Sequence, residues 1–390
     1  MSDNYSQCNL FELEDRDGRL AKPLGQTMET RCLMNAHKPF PLNAWYAAAW
    51  CREIERKLSA RTICGKNVVL YRQTDGAVAA LEDACWHRLL PLSLGHLKGD
   101  DVMCGYHGLV FNSAGRCSYM PAQKTINPSA CVRAYPVTER HRLVWLWPGD
   151  PALADPAKIP DFHWNDGTQW VGDGGTFYQL KCDYRLVIDN LMDLTHETYV
   201  HAGSIGDEAI TAAPFDVTHT RETATMTRWM IDIEPPPFWA RQLGRQGRVD
   251  RWQIVTFQAP SVVAGDVGVA LTNTGAPQGD RAHGVNGAFL AAITPETETT
   301  CHYFWNFVRN YNRHDGQLTR ELQLAHVNKG AGVYDQDHRI LEAQQVAIDK
   351  NPRSPFYDLN IDAGALWARR LIERMTADER VGAIANVAAE

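Results

Sequence analysis

The sequence predicts an α+β protein, with an all-β N-terminal domain ahead of a larger domain of antiparallel strands and helices. Three observations carry this. Short strand-and-turn patterns crowd residues 67–149, a proline-punctuated stretch "DPALADPAKIPDF" follows at 150–162, and beyond it helical periodicity brackets a run of strand-like segments. A chain of 390 residues is long enough for two such cores.

Residues 1–40 hold few apolar side chains, no sustained periodicity and a "KPFP" stretch, and are expected to be a disordered extension. "AWYAAAW" opens ordered chain. "NVVLYR" (67–72), "TDG" (74–76) and "AVAALED" (77–83) read as strand, turn and strand. "GLVFNSAGRCSYM" reads as a hairpin turning near Ser113–Gly115, and "VRAYPVTERHRLVWLWPG" adds two short strands, which closes a first domain over 41–150. The second domain is expected over 151–380, with a tail at 381–390. Its first helix is "YRLVIDNLMDLTHETYVHAGS" (184–204), where Leu186, Leu191 and Leu194 recur at helical spacing. "RWQIVTFQAP" and "GAFLAAITPETETTCHYFWNFVRN" read as strands, and 317–348 and 365–377 as helices.

Composition narrows the function. The charge balance is 39 basic against 46 acidic residues, net −7, without the basic excess of a nucleic-acid binder. No apolar run has the length of a membrane span, and the acidic N-terminus lacks an apolar signal core, so a cytoplasmic protein is expected. Ten cysteines in a chain of this length read first as metal or catalytic residues rather than as a disulfide scaffold.

Two cysteine–histidine pairs, Cys85-x-His87 and Cys104-x-x-His107, sit on loops sixteen residues apart. Structural zinc, a redox disulfide and chance are all readings of such a quartet. The preferred one is a Rieske [2Fe–2S] cluster, in which two thiolates hold one iron and two imidazoles the other, because two loops that each give one Cys and one His can straddle both irons. Gly105 and Gly108 add backbone freedom to the second loop. His96 is read as a solvated loop residue, and Cys117 and Cys131 as small buried hydrophobes.

A second constellation lies in "DNLMDLTHETYVH": Asp189, Asn190, Asp193, His196 and His201. Five residues turn a helix by about 500°, so the two histidines share a face only if the helix distorts or ends between them. Alone the pair is weak. Beside a one-electron cluster it suggests the two-histidine, one-carboxylate site of non-haem Fe(II) oxygenases.

With "CWH…CGYHGL", "WLWPGDPALADPAKIP", "CDYRLVIDNLMDLTHETYVHAGSIG", "PPPFW", "VDRWQI", "ITPET", "YFWNFVRN" and "LNIDAG" all present, the chain resembles the oxygenase component of Rieske non-haem iron oxygenases, and within them the vanillate O-demethylases. The resemblance spans about residues 40–370. It implies a Rieske [2Fe–2S] domain held by Cys85, His87, Cys104 and His107, a helix-grip catalytic domain, and a homotrimer. It places mononuclear Fe(II) on His196, His201 and an aspartate of "YDQDHRILEAQQ", with Asp337 preferred to Asp335. Asp193 becomes the carboxylate that bridges a cluster histidine of one subunit, His107, to His196 of the next, and Asn190 a polar neighbour of the iron. O2 and a small methoxylated aromatic acid, most simply vanillate, are the implied substrates. Electrons are to come from NAD(P)H through a separate flavin and ferredoxin-type reductase, since the chain shows no Gly-x-Gly-x-x-Gly fingerprint of its own. Other methoxybenzoates (syringate, veratrate), an aryl methyl group, or a Rieske electron carrier without catalysis of its own are the alternatives. Arg228 and Arg251 are candidates to pair with a substrate carboxylate, but surface salt bridging is the preferred reading of both.

Overall fold

The computed structural model describes residues 40–387 except 168 and 329–331. The extension expected at 1–40 lies outside the described residues but for Phe40, which packs edge-on to Tyr184 at 6.0 Å.

The N-terminal domain is built of ten short strands: β1 (Tyr46–Trp50), β2 (Ser59–Ile63), β3 (Lys66–Arg72), β4 (Val78–Glu82), β5 (His96–Lys98), β6 (Asp101–Met103), β7 (Val110–Phe111), β8 (Cys117–Tyr119), β9 (Val137–Arg140) and β10 (Leu143–Leu146). They form three antiparallel sheets, ordered β1-β10-β9, β2-β3-β4 and β5-β6-β7-β8. The Cys85 loop joins β4 to β5 and the Cys104 loop joins β6 to β7, both over a core that includes Val69, Leu81, Leu92, Val102 and Phe111.

The second domain is one seven-stranded antiparallel sheet. Its strands are β11 (Thr176–Leu180), β12 (Phe215–His219), β13 (Thr223–Ile233), β14 (Val249–Gln258), β15 (Val262–Leu271), β16 (Gly284–Pro295) and β17 (Cys301–Arg309), in the order β11-β17-β16-β15-β14-β13-β12. The helices are α1 (Tyr184–Met192), α2 (Glu197–Val200), α3 (Glu208–Ala212), α4 (Pro237–Leu243), α5 (Gly316–Val327), α6 (Val333–Lys350) and α7 (Ala363–Val387). α1, α6 and α7 cover one sheet face, where Leu186, Ile188, Leu341 and Leu371 meet Val255, Phe257 and Ile293. Alternation along β14 puts Arg251 and Gln253 on this same helix-facing side as Val255. The single helix expected over 317–348 is two, α5 and α6, and α7 runs on to Val387, past the tail boundary expected at 380.

The other face carries the N-terminal domain. Trp50, Trp145 and Trp147 are buried with Leu290, Phe304 and Val308. The Thr294 hydroxyl donates to the Ala47 carbonyl at 2.7 Å, and His302 Nε2 lies 2.9 Å from the Thr62 carbonyl. No helix of the described residues is long and apolar enough to cross a membrane.

Candidate metal centres

The two cysteine–histidine loops repeat one backbone design. In each, the cysteine N–H donates to the carbonyl five residues on, Cys85 to Leu90 at 2.9 Å and Cys104 to Leu109 at 2.8 Å. The N–H four residues on returns to the cysteine carbonyl, from Leu89 at 2.8 Å and from Gly108 at 3.1 Å. Those two donors take the same left-handed conformation, with φ of 59° at Leu89 and 73° at Gly108. Gly105 serves differently from its expected flexibility: a Cβ there would stand 2.8 Å from the Leu94 carbonyl, so the position is fixed by close approach.

This twofold repeat sets the thiols inside and the imidazoles outside. Cys85 and Cys104 are buried, while His87 and His107 are exposed with ring centroids 4.6 Å apart. Burial pushes the Cys85 thiol up to about 11, and the adjacent Cys104 adds to the rise. Two neutral buried thiols gain nothing from one another, whereas iron would ionise both. The quartet is also wider than one ion needs. Zinc ligands at about 2.0–2.3 Å from the metal crowd within about 4 Å of each other. Among the described residues one set of three or more ligand atoms lies mutually within 4.8 Å, and it is elsewhere. A two-iron cluster therefore fits these four residues better than zinc. His96 is exposed as expected, on β5 rather than a loop, but Cys117 is half-buried and Cys131 exposed, so neither is the buried hydrophobe expected.

The tight set is His196, His201 and Asp337. The helical pattern of 184–204 breaks to make it. α1 ends at Met192, the Asp193 carboxylate accepts from the Thr195 N–H at 2.8 Å, and a 3-10 turn over Leu194–His196 leads into α2. His196 closes that turn and His201 caps α2, so the histidines converge because the helix stops between them. Both Nδ1 atoms are occupied: His196 Nδ1 lies 2.6 Å from the Asp193 carbonyl and His201 Nδ1 2.7 Å from Gln336 Oε1. Acceptors there fix the Nδ1–H tautomer, which turns both Nε2 lone pairs inward. They face one carboxylate oxygen, Asp337 Oδ1, at 3.6 and 3.1 Å. His201 Nε2 and Asp337 Oδ1 are buried without hydrogen-bond partners, and the carboxylate holds the His201 imidazole above its usual range against the opposing effect of burial. Lone pairs aimed at a carboxylate are satisfied by a cation, and two imidazoles with one carboxylate is the donor set that suits Fe(II). Asp335 is not part of this set. Asn190 Nδ2 is 3.4 Å from His196 Nε2. Asp193 reaches His196 through its main-chain oxygen, not through the carboxylate expected to make that contact.

The trio forms part of the wall of a pocket with about 620 Å³ between its sides, some of it open to solvent. Phe238 and Trp239 of "PPPFW" and Phe307 of "YFWNF" line it, with Phe289, Tyr334 and His326. Glu197, Arg251 and Gln253 supply its polar side. Arg251 and Arg228 are not surface residues: each is 2% exposed. Arg251 donates to Glu197 at 2.9 Å and Asp207 at 3.2 Å, and Gln253 Nε2 donates to the same Glu197 oxygen at 3.0 Å. This network pins the residue that follows His196. Glu197, Gln253, Gln336 and His326 were not distinguishable as site residues from sequence. The available signal was the polar alternation of Arg251 and Gln253 in "VDRWQI", and the place of Gln336 beside Asp337.

The Rieske [2Fe-2S] domain family matches residues 44–136, and the vanillate O-demethylase oxygenase C-terminal domain family matches 180–378. The chain is 41% identical over 356 residues to the vanillate O-demethylase oxygenase subunit of Pseudomonas sp. (strain HR199 / DSM 7063), which covers 90% of this chain and 99% of the relative. It is 38% identical to a toluene-4-sulfonate monooxygenase system iron-sulfur subunit of Comamonas testosteroni, over 88% of this chain and 99% of the relative. Dicamba monooxygenase, solved with non-heme iron and dicamba, matches with a TM-score of 0.74 at 32% identity, over 88% of this chain and 99% of that one. Both halves of the chain thus fall to the same lineage, and the protein belongs to the Rieske monooxygenases, as an oxygenase component of the aromatic O-demethylase type to which the vanillate O-demethylases belong.

Proposed function

We propose that this protein converts vanillate to protocatechuate and formaldehyde, using O2 and electrons drawn from NAD(P)H through a separate flavin and ferredoxin-type reductase. The observation that carries the reading is a largely aromatic pocket walled on one side by His196, His201 and Asp337. The full-length likeness to a relative named for vanillate narrows the substrate. In balance, the aryl methyl ether, O2, NADH and a proton give the phenol, formaldehyde, NAD+ and water. The methyl carbon is hydroxylated, and the resulting hemiacetal breaks its C–O bond to release formaldehyde.

His196, His201 and Asp337 would hold mononuclear Fe(II), which supplies O2 activation when bound. Cys85, His87, Cys104 and His107 would hold the cluster, which supplies one electron at a time. Gln336 and the Asp193 carbonyl hold the protons on the two Nδ1 atoms. The aromatic walls hold the ring and exclude water, so the methyl carbon faces the trio. The outward imidazoles of His87 and His107 support electron transfer to another subunit, in a homotrimer, with Asp193 near the receiving His196. The reading places the enzyme in the cytoplasm, where thiols stay reduced and NAD(P)H is at hand. A second reading, oxidation of an aryl methyl group, has the toluene-4-sulfonate relative in its favour. Syringate or veratrate would be the alternative methoxybenzoates.

The test supplies a matching reductase and compares vanillate, syringate, veratrate and toluene-4-sulfonate. One formaldehyde per NADH is expected with vanillate. Coupled turnover of another member of the panel, with vanillate driving NADH oxidation only to peroxide, would overturn the substrate.

A further inference from the structure

We propose that His326 reads a free phenolic hydroxyl on the substrate ring, its Nε2 accepting a hydrogen bond from that O–H. The inference rests on the demethylase reading of the pocket and specifies what the pocket selects. The pocket lining contains one permanent cation, Arg251, and both of its Nη atoms are taken by Glu197 and Asp207. Among the described lining residues no arginine or lysine is left to pair with a buried carboxylate. A benzoate must then keep its carboxylate toward the open side and present another group to the interior.

His326 is the group placed to receive it. It is 6% exposed and lines the pocket from α5. Its Nδ1 lies 2.7 Å from the Leu322 carbonyl, which can only accept, so Nδ1 carries the proton and Nε2 is left as a lone pair. The imidazole stacks on Phe307 at 4.8 Å and meets Phe238 edge-on at 5.7 Å. Burial among these rings pushes its pKa down, which keeps the ring neutral and Nε2 an acceptor. An acceptor in an apolar pocket favours a ligand that brings a donor and penalises one that leaves it unpaired. Vanillate brings a phenol O–H. 3-Methoxybenzoate brings none, and 3,4-dimethoxybenzoate replaces it with a second methyl ether.

The test is anaerobic calorimetric binding of vanillate and 3-methoxybenzoate to the reduced holoenzyme, with the ultraviolet spectrum of bound vanillate recorded in parallel. The wild type should bind vanillate about 10- to 100-fold tighter, with bound vanillate showing the spectrum of a phenol. In His326→Phe the two affinities should fall within about twofold of each other, and His326→Gln, which keeps an acceptor, should restore part of the preference. Binding of 3-methoxybenzoate reports that each variant is folded. Equal affinities in the wild type, a preference that survives in His326→Phe, or a phenolate spectrum would overturn the assignment. If both compounds bind and are demethylated equally, His326 alone is misassigned. If neither binds, the demethylase reading falls with it.

Discussion

His201 depends on Gln336 for its orientation. The 2.7 Å contact to Oε1 settles which nitrogen carries the proton, and the other nitrogen faces Asp337 at 3.1 Å. Gln336→Leu leaves the three candidate ligands in place but frees the ring, and should weaken ferrous iron binding about 10- to 100-fold, measured by titration against a competing chelator. Glu197 plays the corresponding part for the other histidine's segment. Glu197→Ala would leave Arg251 and Gln253 without their shared acceptor and should cost about 3–5 kcal/mol in urea unfolding, with Glu197→Gln losing less. Such residues divide by how far their partners lie along the chain. Cys85 and His87, or Cys104 and His107, announce themselves because each loop holds its pair within three residues. Asp337 lies far from His201 in sequence and became readable only through resemblance. Arg251 reads as a surface charge in the sequence because nothing local in "VDRWQI" reveals that helices cover that face of the strand.

The elements matter at the site chiefly where they stop. α1 gives way at Asp193 to a 3-10 turn and then α2, and that break brings His196 and His201 together. Periodicity over 184–204 registers the apolar face of a helix but not the Asp193 cap that interrupts it, so the convergence was legible only as a condition. The same logic split the helix expected over 317–348 into α5 and α6, which lets His326 and Asp337 approach one pocket from different helices. Gly206 holds the far side of α2 in place: its N–H donates to the His201 carbonyl at 3.2 Å, and a Cβ would stand 1.9 Å from the Glu197 carbonyl oxygen. That contact is backbone and cannot swing away. Gly206→Ala should therefore shift the segment bearing both histidines, costing about 1–3 kcal/mol in stability and lowering iron content in the purified protein.

At the scale of the molecule, two domains share a buried seam. His302 on β17 sits in it, with Nε2 2.9 Å from the Thr62 carbonyl of the N-terminal domain. Burial lowers the pKa of His302 and of His326. The unfolded chain takes up these protons as pH falls through about 6.5, while the folded protein resists them. Stability that is complete above that pH should thus decline below it, and urea midpoints at pH 7.5 and 5.5 should show the drop. In His302→Gln, whose amide can still donate to Thr62, part of the drop should disappear. The crowded short strands, the proline-punctuated stretch at 150–162 and the helices bracketing strands beyond it made the two-domain plan legible in sequence. The packing of Trp50 and Trp145 against β16 and β17 was not, because apolar residues in short strands do not declare which core they join.

On the proposed function, labour is divided between subunits: the Cys85/His87/Cys104/His107 set of one would feed electrons to the His196/His201/Asp337 set of another. Subunits carrying Cys85→Ser should lack a working cluster, and subunits carrying His196→Ala a working iron site. Each variant alone should be inactive. Co-assembled from equal amounts, they bring an intact donor against an intact acceptor at about a quarter of the contacts of a cyclic trimer. Formaldehyde release from vanillate by such mixed assemblies should recover to about that fraction of wild-type activity. Mixed assemblies that load both metals and still release no formaldehyde would contradict the account.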